Sequence, residues 1–399
     1  VLLDRLHQRS RERAAAGLTR QQFTTRSPTG RSVQRGADWL LNFASNDYLG
    51  LANHPRVLAA FREGLELYGA GAGASAMVSG HSEAHAALEA ACQAWMQPIA
   101  PVIECLLFSN GYLANLAVLT ALTEQGDELF CDKLNHASLI DAMRLSDAKH
   151  RRYPHGDLEA LERQLAASSA RVKLIVTDGV FSMDGDVAPL PGLLHLAERF
   201  DAYVYVDDAH GIGVLGDHGR GTMEWCGARS ERLILMGTLG KAAGVAGAFV
   251  AAHPLVVSWL RQASRSYVYS TAPPPAASHA LLESVALMQG AEGAQRRSVL
   301  AAHTRLLQQR LGDRAGLGWS LLPSQTAIQP LVIGDNAQAV SLARWLAEQQ
   351  LWVPAIRPPT VPVGTARLRI SLSADHHTSD VERLCEAVGL FFRAELTQA

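Results

Sequence analysis

The chain has 399 residues, 48% of them hydrophobic and 19% charged, with a formal net charge of -2. Such a composition fits a folded protein with a substantial core and excludes both a disordered chain and a global basic field for nucleic acid. Aromatics at 6% are too sparse for a surface that stacks single strands, and no run approaches the ~20 uninterrupted apolar residues of a membrane span.

Residues 1–16 read as a basic helix, and "VLLDRLHQRSRERAAAG" lacks the apolar run of a secretory signal. A turn-rich segment, "RSPTGRSVQRGAD", leads into a short strand, "WLLNFAS". Over residues 81–97, Ala84, Ala87, Leu88, Ala91, Cys92, Trp95 and Met96 recur at helical spacing, and Pro98 ends the pattern. Short apolar runs then alternate with helical stretches. The runs are "ECLLF", "ELFCD", "VKLIVTD", "AYVYVDD", "RLILMG" and "GAFVAA"; helical patterns cover 111–124, 157–167 and 191–200. Strands buried on both faces and joined by helices predict an α/β fold with a mostly parallel sheet.

After "STAPPPAAS" a long helix is expected over 276–312. Then come the strand "AIQPLVIG", a helix at 337–349, the strand "ARLRISLSA" and a final helix at 379–395. In "ARLRISLSA", Leu368, Ile370 and Leu372 alternate with Arg367, Arg369 and Ser371, which predicts a sheet with one wet face. The expected organisation is an N-terminal helix and strand segment at 1–50, a large domain at 51–285 and a smaller α+β domain at 286–399. Cys92, Cys105, Cys131, Cys226 and Cys385 are odd in number and show no C-x-x-C spacing. Neither a disulfide framework nor a thiolate metal site is expected, and the reading is a cytoplasmic protein.

Ligands of open parallel sheets bind beyond the carboxyl ends of the strands. There the sequence places Asp132 and His136, Asp178 and Ser182, Asp207, Asp208 and His210, and Thr238 and Lys241. "SNGY" at 109–112 opens a helix and offers backbone N–H groups. Lys241 is the one charged residue in "LILMGTLGKAAGVAGAFV". A lysine in a dry site is easily neutral, and a neutral amine is a nucleophile suited to a Schiff base. Gly240, Ala242, Ala243 and Gly244 leave room for a flat ring. Asp207 can supply the anion that keeps a pyridoxal nitrogen protonated, in a charge-assisted bond of about 1.5–3 kcal/mol.

Each residue alone has a plainer reading. Lys241 could snorkel at a loop, Asp207 could cap a turn, and either histidine could be structural. The weight lies in their coincidence at successive strand ends. Three other motifs carry less. "GIGVLG" at 211–216 matches a dinucleotide fingerprint, but "GDHGRG" follows where a helix is required. In "GTLGKA", Leu235 stands where a P-loop has its first glycine and Ala242 where it has Ser or Thr. "HSEAH" misplaces the glutamate of a zinc motif, so no metal is expected.

Together "VDDAHGIGVLGDHGRG", "GTLGKAAG", "NFASNDYLGL" and "TDGVFSMDGDVAPL" resemble the α-oxoamine synthases, from about residue 40 to the last helix. The resemblance implies the aspartate-aminotransferase type (type I) fold, pyridoxal 5'-phosphate as cofactor, and a homodimer with shared active sites. Family members join a small amino acid to an acyl thioester and release carbon dioxide. "AIRPPTVPVGTARLRISLSADH" and "AIQPLVIG" are most similar to members that use L-alanine and a pimeloyl thioester; members that use glycine are the alternative. A non-catalytic relative would lack the Schiff-base lysine, and a nucleotide-binding α/β protein would have to use "GIGVLG".

By the same resemblance Lys241 would carry the cofactor and later move the α-proton. Asp207 would pair with the ring nitrogen, His210 would approach the phenolic oxygen, His136 would stack on the ring and Ser182 would line it. Gly111, Tyr112 and Thr238 would hold the phosphate, with Ser270 and Thr271 reaching the other subunit's. Arg357, Asn46 and Arg20 would contact substrate, Arg357 through its carboxylate. Asp178 replaces the family's usual Glu, and "GAGASAMVSG" carries Ala74 where glycine is usual and Ala76 where glycine or arginine is usual.

Overall fold

A computed structural model describes residues 1–19, 22–312 and 318–398. All six apolar runs of the middle chain become strands of one seven-stranded sheet. In chain order these are β1 (Glu104–Phe108), β2 (Glu128–Asp132), β3 (Lys149–Tyr153), β4 (Lys173–Asp178), β5 (Tyr203–Asp207), β6 (Leu233–Thr238) and β7 (Ala248–Ala252). Their order across the sheet is β1-β7-β6-β5-β4-β2-β3. The pairs β2–β3, β2–β4, β4–β5 and β5–β6 are parallel. Only β7 runs the other way, antiparallel to both β1 and β6. The expected α/β, mostly parallel sheet is what forms.

One strand of this sheet escaped the sequence pattern, and in the smaller unit the turn-rich "RSPTGRSVQRGAD" also holds a strand, Ser32–Arg35, paired antiparallel with Asp38–Asn42. β3 reads "KHRRY", and only Tyr153 in it is buried. It lies at the sheet's edge, where one flank meets water, so it needs no apolar run. Lys149 and Arg151 pair with Glu128 of β2 at 3.1 and 2.9 Å.

The sheet's core includes Leu106, Leu129, Val176, Tyr205, Ile234, Met236 and Val250. Against them pack Val118 and Leu119 of α1 (Gly111–Leu122) and Leu139 and Met143 of α2 (Ala137–Leu145). Burying each such side chain stabilises the fold by about 1.5–3 kcal/mol. α1 starts where Asn110 accepts the Leu113 N–H at 3.0 Å, an ordinary N-cap. After β5, "GIGVLG" forms turns with an Ile212–Arg220 bridge, and the next helix is only Thr222–Trp225. The helix that a dinucleotide fingerprint demands does not open there. The long helix expected over 276–312 is two, Pro275–Gln289 and Ala291–Leu311, parted at Gly290.

The chain divides into two compact units. The larger holds Leu49–Ser182 and Asp186–Ser298; the smaller holds Val1–Tyr48, Met183–Gly185 and Val299–Ala399. In the smaller unit, Ile328–Gly334 pairs antiparallel with Ala366–Ser371 within a four-stranded sheet. Here the expected wet face fails: all six residues of Ala366–Ser371 are buried. Buried charges need partners. Arg367 bonds Asp184 and the Met183 carbonyl, while Arg369 reaches Ser371 Oγ at 2.7 Å and Asn46 Oδ1 at 3.2 Å. The alternation was real, but internal acceptors take the place of water.

The same unit buries His376 against Phe43, with ring centroids 4.3 Å apart. Its Nδ1 accepts the Ser373 N–H at 3.1 Å and its Nε2 faces the Asn42 carbonyl at 3.2 Å. Burial pushes its pKa down to about 4, against the upward pull of that carbonyl. Among the described residues no helix is long and apolar enough to cross a membrane.

Candidate active site

The carboxyl ends of β5 and β6 and the N-terminal ends of α1 and α2 enclose a cavity of about 180 Å³ in the larger unit. Lys241 enters it from the loop after β6. That loop is tied across its neck by Leu239 N–H to Gly247 O at 2.8 Å and across its tip by Gly244 N–H to Lys241 O at 2.8 Å. Gly244 has φ +75°, and a Cβ there would lie 2.4 Å from the Ala52 nitrogen. No other residue fits that approach, so the turn presenting the lysine is fixed.

Lys241 Nζ lies 2.9 Å from His210 Nε2. His210 sits in the turn after β5, which is closed by the Gly211 and Ile212 N–H groups on Asp208 O, both at 3.1 Å. Asp207 ends β5 and faces the cavity. Its Oδ1 accepts the Ala209 N–H at 3.1 Å and its Oδ2 accepts Asn115 Nδ2 at 2.7 Å. Asp208 points away from the cavity and is fully buried. Its Oδ2 accepts the Thr222 N–H at 2.7 Å, yet burial outweighs this bond and pushes its pKa up to about 8. Gly221, at φ +80°, makes room: a Cβ there would lie 1.9 Å from that oxygen.

His136 caps α2. Its backbone N–H donates to Asp178 Oδ2 at 2.8 Å, and its Nδ1 meets Ser138 Oγ at 2.7 Å and the Ser138 N–H at 3.3 Å. The ring is open to the cavity while crowded by protein around it. Burial lowers its pKa and Lys241 adds to this, against the pull of Asp207 and Asp141. Asp178 is held well above the usual carboxylate range, first by burial and then by the Asp207 charge, against the bond from His136 N–H. At the opposite wall Gly111 and Tyr112 start α1, where first-turn N–H groups have no intrahelical acceptor. A Cβ on Gly111 would lie 3.1 Å from Met236 Cε, so glycine keeps this corner open. The Thr238 hydroxyl lines the same cavity.

Lys241, Asp207, His210, His136, Gly111, Tyr112 and Thr238 therefore meet in one cavity. Ser182, Ser270 and Thr271 do not line it. Ser270 and Thr271 line a neighbouring pocket beside Ser109. Asn46 and Arg357 belong to the smaller unit, where Asn46 Oδ1 accepts from Tyr48 and Arg369 and Arg357 donates to the Gly17 carbonyl. Arg20 lies outside the described residues. Sequence reading missed Asn115, Ser138 and Tyr205. A single Asn inside the otherwise apolar helix "GYLANLAVLTAL" was the available signal.

The donor set fits pyridoxal phosphate. It offers a primary amine, a carboxylate, an open aromatic face and the N-terminus of a twelve-residue helix for an anion. Among the described residues no group of three or more His, Cys, Asp or Glu could hold a metal ion.

Residues 39–388 match the family of class I and II aminotransferases. The chain belongs to that family of pyridoxal-phosphate enzymes. It is 57% identical over 397 residues to the 8-amino-7-oxononanoate synthase of Polaromonas naphthalenivorans, covering 97% of each chain. Among solved structures it is similar to the 8-amino-7-oxononanoate synthase of Francisella tularensis at 28% identity and a TM-score of 0.76, over 90% of this chain and 99% of that one. It is also similar to SPT solved with PLP, at 28% identity and a TM-score of 0.90, over 98% of this chain and 97% of that one.

Proposed function

We infer that the chain joins L-alanine to a pimeloyl thioester, carried on coenzyme A or acyl carrier protein, with loss of carbon dioxide. This is the 8-amino-7-oxononanoate synthase reaction of biotin biosynthesis. The observation that carries it is the meeting of Lys241, His210, Asp207, His136 and the α1 N-terminus in one cavity.

Pyridoxal phosphate, when bound, supplies an electron sink for charge that develops at the substrate Cα. Lys241 Nζ would hold it covalently and, as a free amine, would take the Cα proton as general base and later return it. Asp207 keeps the ring nitrogen protonated, and its two internal hydrogen bonds hold the carboxylate in place. His210 orients the phenolic oxygen and starts within hydrogen-bond reach of the lysine, at 2.9 Å. His136 offers its open ring face, and the Gly111 and Tyr112 N–H groups with Thr238 hold the phosphate. By the resemblance, Arg357, Asn46 and Arg20 would take the substrate's polar groups and so set which bond at Cα can break. Overall the Cα–carboxylate bond and the thioester C–S bond break, a C–C bond forms between Cα and the thioester carbonyl, the proton first taken from Cα is restored there, and the thiol and carbon dioxide leave.

Ser270 and Thr271 serve the phosphate of a second subunit, a reading supported by their place outside their own chain's cavity. The enzyme works in the cytoplasm as a homodimer; the five cysteines are all free thiols, as a reducing compartment requires.

Borohydride reduction of the holoenzyme followed by peptide mapping should label Lys241, and Lys241→Ala should abolish turnover. Label on another residue, or a near-normal rate, rejects this site. Faster turnover with glycine than with L-alanine rejects the substrate assignment while leaving the site intact.

A further inference from the structure

Behind the cavity wall a buried network joins Asp207 to His136. Asn115 of α1 is its hub and is almost fully buried. Both hydrogens of its Nδ2 are in use, one to Asp207 Oδ2 and one to Ser138 Oγ, each at 2.7 Å. Its Oδ1 accepts the Tyr205 hydroxyl at 2.6 Å. This amide orientation is forced, because a flipped amide would set Oδ1 against the Asp207 carboxylate.

The rest follows from counting donors. An amide nitrogen only donates, so Ser138 Oγ accepts from Asn115 and has one hydrogen left. His136 Nδ1 lies 2.7 Å away. The backbone N–H of Ser138 also points at Nδ1, at 3.3 Å. A backbone N–H cannot be turned round, so Nδ1 must be an acceptor, and the ring's one hydrogen sits on Nε2.

We propose that Asn115 and Ser138 are positioning residues that hold His136 as a neutral imidazole protonated at Nε2 and fix it in one unit with Asp207. The location of the proton stands on these hydrogen bonds alone; its consequence for turnover rests on the cofactor reading above. A second proton on His136 would have to enter at Nδ1, displacing the Ser138 N–H and reversing the bond to Ser138 Oγ. The groups facing the histidine are Asp178, which takes its backbone N–H, Asp207 and Asp141, which favour a cation, and Lys241, which opposes one. The N-terminal end of α2 also opposes positive charge. At Nε2, His136 is thus an N–H donor and not a base. One chain of hydrogen bonds ties the ring face it lends to the anion that Asp207 lends.

Neutron diffraction on the apoprotein near neutral pH reads the proton directly. Deuterium on Nε2 with none on Nδ1 is expected; deuterium on Nδ1 overturns the proposal whatever the cofactor proves to be. In the holoenzyme, Ser138→Ala should lower kcat on the order of 10–100-fold, the scale of a misplaced catalytic group, with KM for the amino acid little changed. Its acid limb of kcat should move to higher pH, because Nδ1 loses the hydroxyl bond and keeps only the weaker, longer one from the backbone N–H at position 138. Ser138→Thr keeps the hydroxyl and should restore most of both. A kcat loss with an unmoved acid limb would assign Ser138 to packing alone and overturn the proposal. Loss of covalent labelling at Lys241 in the wild type would instead reject the cofactor reading and leave the neutron result standing.

Discussion

Asp207 and Asp208 are adjacent in sequence and opposite in circumstance. One faces the cavity and accepts two N–H bonds; the other is walled in beside Gly221 and its pKa rises to about 8. The shift is upward for a carboxyl, so its native-state contribution is intact below the ordinary value of about 3.9 and is lost as pH climbs through 8. Asp208→Asn imitates the neutral acid. The variant's stability relative to wild type should therefore rise between pH 4 and 8, by up to about 1.4 kcal/mol per unit. Urea melts of both proteins at pH 5 and pH 8 check this, and an unchanged gap refutes it. At this scale the sequence was informative wherever a polar residue ends an apolar run, as Lys241, Asp207, His210 and His136 do. It was silent where partners are remote: Asn115 finds Asp207 across 92 residues and Ser138 across 23. Nothing local marks such a pair.

The segment after β4 is held by His155. Its Nε2 lies 2.8 Å from Asp186 Oδ2 and its Nδ1 3.1 Å from Asp132 Oδ1, while its ring meets Phe181 edge-on at 4.3 Å. Burial alone would lower its pKa; the two carboxylates outweigh it and push it up to about 10. For a histidine raised in this way, the stabilisation is complete below about 6.5 and is lost as pH rises through 10. His155→Gln should cost about 1–2 kcal/mol at pH 7, discounted for partial exposure. The deficit should vanish above pH 10.5, and thermal melts at both pH values test it; a constant deficit would refute it. Among the elements, strands with apolar runs were legible and β3 was not. Nor did periodicity reveal that β7 runs against its neighbours, since strand direction depends on the connection, not on the residues.

Across the whole chain the α/β class followed from alternation alone. The membership of the smaller unit did not, because residues 1–48 and 183–185 join 299–399 through pairings no local window contains. That unit carries two buried histidines, His376 and His303. His376 is depressed to about 4, chiefly by burial, and burial lowers His303 as well. Histidines depressed in the folded state stabilise it above about 6.5, and that contribution is lost as pH falls toward 4. Hydrogen exchange at pH 4.5 should therefore show lost protection around residues 42–48 and 366–376 while β4–β6 stay protected. Equal protection in both regions would refute this. Lys241→Ala, by contrast, should leave exchange in the smaller unit unaltered while removing turnover.

The edge strand β3 bears on how many copies of this chain can share a cell. Lys149, His150, Arg151 and Arg152 line the rim where a foreign strand would otherwise dock and extend the sheet. Like charges on two such rims repel, so the sheet ends at β3 instead of continuing into a neighbour. Valine or threonine at these positions would leave every group of the cavity in place and remove that barrier to edge-to-edge pairing.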